Sequence, residues 1–165
     1  MKKTKIIQPA VLLVGLKVET NLKEVIAFEA GKQKAKLAQA SELKNVLKLV
    51  GGRVHPGVTY TAYTDYRHRG TYWDYTYFIG EAVESLGRKD QADLNTLIIP
   101  AGCYQKFTTE PGKHSEVLID AWIKIWSMDE QDLGGKRKYL TDFAVYDERA
   151  TDPNHTVIDI YIGIY

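Results

Sequence analysis

The chain has 165 residues, 44% of them hydrophobic, enough for one ordinary globular domain with a real core. Its 22 Lys and Arg nearly cancel 21 Asp and Glu, so no strong field draws it to nucleic acid or to an anionic membrane. No apolar run reaches bilayer length, and the single cysteine, Cys103, excludes an intramolecular disulfide and fits a reducing cytoplasm.

The start, MKKTKIIQPAVLLVGLKVET, imitates a secretory signal, but Gln8 and Pro9 interrupt the apolar run and no small-residue cleavage site follows. Residues 11–20 alternate as a strand, with Leu12, Val14, Leu16 and Val18 on one face. Asn21 then opens a helix, with Glu24 at capping-box spacing. Its stripe (Leu22, Val25, Ile26, Leu37, Leu43, Val46, Leu47, Val50) is interrupted by Gly31 and stopped by Gly51-Gly52.

GVTYTAYTDY and TYWDYTYFIG, joined by RHRG, predict a hairpin over residues 57–80. LNTLIIPAGCYQKF, residues 94–107, reads as one strand with a bulge at its Pro-Ala-Gly break. Cys103 in that run is expected to be a buried, inert thiol. HSEVLIDAWIKIW predicts a helix over 114–126, and YLTDFAVYDE and TVIDIYIGIY predict a closing hairpin. The basic runs Lys2-Lys3 and Lys136-Arg137-Lys138 read as solvated ends and turns.

This order is β-α-β-β twice. Tyr63 precedes Ile79-Gly80 by the interval at which Tyr146 precedes Ile162-Gly163, which argues for internal duplication. The expected fold is α+β: one domain over 1–165 with pseudo-repeats of about 5–85 and 92–165. An antiparallel sheet carries two helices, with a ligand groove between the halves.

Trp122 and Trp126 share a helix face by their spacing of four. Ala144 and Tyr146 share a strand face by alternation, and Tyr63 is taken as the first-half counterpart of Tyr146. Trp73, Tyr75 and Tyr77 make one face of their strand aromatic; Tyr75 is assigned to a pocket, while a hairpin ladder explains such a pattern equally well. A bulge at Pro-Ala-Gly would turn Tyr104 toward the groove. The four histidines lack metal-ligand spacing, and no phosphate-cradling glycine loop or Ser-His-Asp arrangement is present, so no metal and no cofactor is expected.

VGLKVETN, YTYFIGEAVESL, LIIPAGCYQKF, AWIKIW and DFAVYDERATDPNHTVIDIYIGIY together resemble the GyrI-like family, over nearly the whole chain. This is the effector-binding domain attached to AraC-type and MerR-type multidrug-responsive regulators, and it also occurs free-standing. The resemblance implies a duplicated β-α-β-β fold and binding of lipophilic, often cationic, aromatic compounds. The residues it suggests for ligand binding are Tyr63, Tyr75, Tyr104, Trp122, Trp126, Ala144 and Tyr146. No catalytic residue is assigned.

Many relatives carry a pocket glutamate where this chain has Ala144. Its absence removes the family's usual partner for a cation, leaving Asp65 and Asp142 as candidate replacements. It also removes the obvious acid or base for the alternative role of hydrolysing cyclopropane-type genotoxins. Inhibition of a topoisomerase by direct binding is a further alternative. The expected partners are thus an amphipathic aromatic small molecule and either a second copy or a DNA-binding protein, with no direct contact to nucleic acid or membrane.

Overall fold

The computed structural model describes residues 1–21, 42–69 and 72–165. Among these residues eight strands appear in chain order: β1 (Lys2–Gln8), β2 (Val11–Asn21), β3 (Thr59–Arg69), β4 (Tyr72–Val83), β5 (Asn95–Ile99), β6 (Gly102–Thr108), β7 (Thr141–Tyr146) and β8 (Asp159–Gly163). Two helices, α1 (His114–Trp126) and α2 (Glu130–Leu133), stand between β6 and β7. The chain has the duplicated α+β architecture, with antiparallel strands that fold into two compact units. The first unit is Met1–Ala10 with Pro100–Tyr165, and the second is Val11–Ile99.

In the second unit the strand order is β3-β4-β2-β5. Leu12, Val14 and Leu16 pair with Val83, Glu81 and Ile79, so alternation gathers a single apolar face. A helical segment at 42–47 covers that face, bringing Leu43 and Leu47 onto Val14, Val50 and Val83. Leu22, Val25, Ile26, Gly31 and Leu37 of the expected long helix lie outside the described residues, as does the side chain of Trp73.

At Gly15 and Gly80 the second unit tolerates no side chain. The two glycines are paired, and a Cβ on either would collide with the facing backbone carbonyl, that of Ile79 or of Val14.

In the first unit the order is β1-β6-β8-β7. Phe107, Ile158, Ile160 and Ile162 are all no more than 1% exposed. They share the sheet face covered by α1, which buries Val117, Ala121, Trp122 and Ile125 in the i, i+4, i+8 rhythm of an amphipathic helix. Asp129 caps α2 by accepting from the Asp132 N–H at 2.7 Å, and Gly134 ends it at a left-handed φ of 87°.

Two expectations need correction. Residues 94–107 are not one bulged strand: β5 pairs with β2 in the second unit, and β6 pairs with β1 and β8 in the first. Pro100 has no N–H to continue a ladder, and the chain passes from the second unit to the first there. Nor does RHRG form the hairpin turn: Arg67, His68 and Arg69 continue β3, paired with Asp74, Trp73 and Tyr72. Residues 2–8, given no element in the sequence reading, form β1, paired along its whole length with β6. The same device therefore occurs twice: a short strand, Pro-Ala, then the first long strand of a β-α-β-β unit. Each short strand pairs with the long strand of the other repeat.

Candidate functional site

On the helix-side face of the second unit, Tyr63 stands opposite Tyr77 in the β3–β4 ladder. Its ring meets those of Tyr75 and Tyr77 edge-on, both at 5.5 Å between centroids, a favoured aromatic geometry. Tyr75 is buried, and that burial, reinforced by Tyr63, holds its phenol far above the ordinary tyrosine range. Asp65 is not among these rings. It is an exposed residue at the β-bulge between Thr64 and Arg67, with a left-handed φ of 51°, a conformation aspartate tolerates better than most residues.

In the first unit, Ala144 stands opposite Ile160 and is fully buried. Tyr146, two residues on, is half-buried, and its ring lies 5.8 Å from that of His114 at the start of α1. Trp122 is buried and Trp126 half-exposed, their rings 5.9 Å apart. Tyr104 lies on the opposite sheet face, edge-on to Phe143 at 5.4 Å, where its hydroxyl donates to the Pro100 carbonyl at 2.6 Å. Burial, with the nearby Asp142 charge, pushes the Tyr104 phenol up to about 12. Because β6 starts afresh after Pro100, no bulge redirects this side chain toward Ala144.

The ladders give a different equivalence between the repeats from the one that spacing suggests. Tyr63 pairs with Tyr77, three residues before Gly80, and Ala144 pairs with Ile160, three residues before Gly163. Tyr63 is therefore the register counterpart of Ala144, not of Tyr146. The two hairpins have connections of unequal length, which sequence spacing alone could not reveal.

Asp142 is fully buried, accepting the Gly163 N–H at 2.9 Å and pairing with Arg137 at 2.6 Å. Arg137 was expected in a solvated turn. Instead, the segment before β7 bridges to Ile164 beyond β8, and its side chain is only 12% exposed. Its guanidinium lies 5.9 Å from the Trp122 ring and 4.5 Å from the Tyr139 ring, within cation–π range of both. The basic run KRK hid this, because nothing in it distinguishes the middle residue from its neighbours.

Glu81 and Asp159 are the other buried carboxylates among the described residues. Glu81 accepts from the Gly57 N–H at 2.8 Å and faces Arg53 at 3.5 Å. Asp159 binds Arg149 at 2.6 Å, Thr108 at 2.6 Å and Lys106 at 3.3 Å. Burial pushes the Asp159 carboxyl up, but the Thr108 hydroxyl, Arg149 and Lys106 outweigh it and hold the group below its ordinary value. Every buried acid among the described residues thus already has an arginine beside it.

Two clefts flank α1 in the first unit. The smaller, of about 180 Å³, includes Met1, Glu110, Lys113 and Asp120, and the larger, about 470 Å³, includes Lys3, Phe107, Lys124 and Met128. Neither includes a residue of the aromatic sets above. Cys103 is half-buried rather than fully enclosed. Among the described residues no group of acids, histidines and cysteines could hold a metal ion, and no helix is long and apolar enough to cross a membrane.

Comparison with known proteins shows that residues 7–164 match the model of Cass2, the integron-associated effector binding proteins. The chain belongs to this family. It is an effector-binding module related to transcription-regulatory proteins, with the GyrI-like fold. Cass2 of Vibrio cholerae, an integron cassette protein, superposes with a TM-score of 0.61 at 18% identity, covering 99% of this chain and 95% of that one. SAV2435, solved bound to tetraphenylphosphonium, superposes at 0.75 with 15% identity over 100% of this chain and 94% of its own. YobU of Bacillus subtilis, which bears the name of a transcriptional regulator, is 33% identical over 66 residues. That match spans 40% of this chain and 39% of YobU.

Proposed function

We propose that this chain, as one effector-binding domain over residues 1–165, binds small lipophilic aromatic compounds without requiring them to be cationic. The candidate contacts are, within the second unit, Tyr63 and Tyr75 on its helix-side face and, within the first unit, Ala144 and Tyr146 on β7 with Trp122 and Trp126 on α1. Tyr104, on the other face, is left out. In the cell the module acts in the cytoplasm as a sensor or sequestering protein. It reaches transcription through a second copy or a DNA-binding partner.

One observation carries this reading. Tyr63 holds two phenol rings edge-on at 5.5 Å, while every buried carboxylate among the described residues is already engaged by an arginine. Among the described residues the protein therefore offers aromatic surface and no buried carboxylate without an arginine beside it. Titration followed by tryptophan fluorescence, using tetraphenylphosphonium and tetraphenylborate, tests it directly. Saturable binding that weakens in Tyr63→Ala and Trp122→Phe is the expected result. A signal unchanged by both probes would refute the reading.

A further inference from the structure

The Arg137–Asp142 pair points to more than a structural role. We infer that Arg137 is a resident cation that sets ligand specificity: it holds the cation-binding place on Trp122 and Tyr139 and masks the Asp142 carboxylate. The inference rests on the function proposed above and concerns which charge that site accepts.

A lipophilic cation is best held by an aromatic face together with a desolvated carboxylate. Both elements are present around one point of the first unit. The faces are Trp122 and Tyr139, at 5.9 and 4.5 Å from the guanidinium carbon, and the carboxylate is Asp142, with no solvent exposure. The chain fills the arrangement itself. Arg137 donates to Asp142 at 2.6 Å, and the bridge from Arg137 to Ile164 anchors its backbone beside the same sheet. A planar guanidinium can make this bond and lie over rings at once, which an ammonium does less well.

An arriving cation would thus have to share the Trp122 face with a positive group and would gain no free carboxylate. A neutral or anionic aromatic compound meets no such penalty. Asp142 lies two residues before Ala144 in β7, on the same helix-side face, and its carboxylate is already taken.

The test is a charge-swap series on the full chain, with tetraphenylphosphonium and tetraphenylborate as probes of matched shape and opposite sign. The natural protein should bind the borate at least as tightly as the phosphonium. Arg137→Met leaves Asp142 uncompensated, so preference should move toward the phosphonium by about tenfold or more, since close charge pairs couple by at least about that factor. Asp142→Asn frees Arg137 instead, and preference should move toward the borate. Arg137→Met combined with Asp142→Asn should return the ratio to that of the natural protein.

Removing one member of a buried pair can prevent folding, so the opposite-signed variants serve as independent tests: either one, folded by circular dichroism, decides the matter. Probe binding with the same phosphonium-to-borate ratio in every folded variant would overturn the role of Arg137 and leave the proposed function standing. No binding of either probe to any variant would overturn both.

Discussion

Ala144 stands directly opposite Ile160 across the β7–β8 ladder, and both side chains are wholly buried under α1. A methyl group and a branched alkyl chain fit that space. A carboxylate there would be placed opposite an aliphatic side chain and out of water.

Ala144→Glu should therefore lower stability at neutral pH by about 3–5 kcal/mol, the usual cost of an uncompensated buried charge. Burial raises such a carboxyl's folded pKa above its unfolded value. The variant's stability relative to the natural protein should then be greatest at acid pH and fall as pH rises through neutrality. Urea unfolding at several pH values measures this. If bound tetraphenylphosphonium restores stability to the variant more than to the natural protein, the new acid has found a cation.

Asp159 tests the opposite sign. Its carboxyl is held below the ordinary value, so the stability it contributes is present above the unfolded pKa and lost as pH falls through the folded one. Asp159→Asn should cost about 3 kcal/mol near pH 7, leaving Arg149 and Lys106 without their buried partner. The gap between variant and natural protein should close as the solution is made acidic. A gap that stays constant with pH would show that the cost is not electrostatic.

The tyrosines set an alkaline limit. Burial and the Asp142 charge push Tyr104 up to about 12, and burial and the Asp159 charge do the same for Tyr161, with Arg149 opposing; Tyr75 lies higher still. Groups with raised folded pKa values support the fold below their unfolded pKa, and that support is lost as pH rises through the folded value. A spectrophotometric titration should show a late group of tyrosines that ionise together with unfolding. Uniform ionisation of all 11 tyrosines near pH 10, with the fold intact, would contradict it.

Gly15 and Gly80 approach so closely that neither accepts a Cβ. Gly15→Ala should destabilise the protein by about 3 kcal/mol through forced separation of β2 from β4, seen as a fall in Tm. Gly57→Ala is the control for space, because nothing lies within 4 Å of a Cβ there. Its cost should be smaller and come from its left-handed φ of 88° alone.

Local pattern was enough for several elements. The β3–β4 hairpin, the boundaries of α1 at His114 and Trp126, and the shared face of Ala144 and Tyr146 all follow from alternation and helical period. The exchange of β1 and β5 was not legible, because a short strand before Pro-Ala looks the same whichever long strand it pairs with. The register equivalence of Tyr63 with Ala144 was equally hidden, since the unequal hairpin connections decide it.

What the sequence by itself determined was the duplicated α+β order, the aromatic stock and the alanine at position 144, because periodicity and residue identity are local properties of the chain. Only the tertiary structure decided the fate of the charges. Arg137 and Asp142 are five residues apart across an irregular segment, and spacing cannot say that their side chains meet in the interior. They are brought together by the ladder from β8 to the residues before β7. In that buried setting an ion pair must be satisfied internally, and the guanidinium that satisfies it also lies over Trp122.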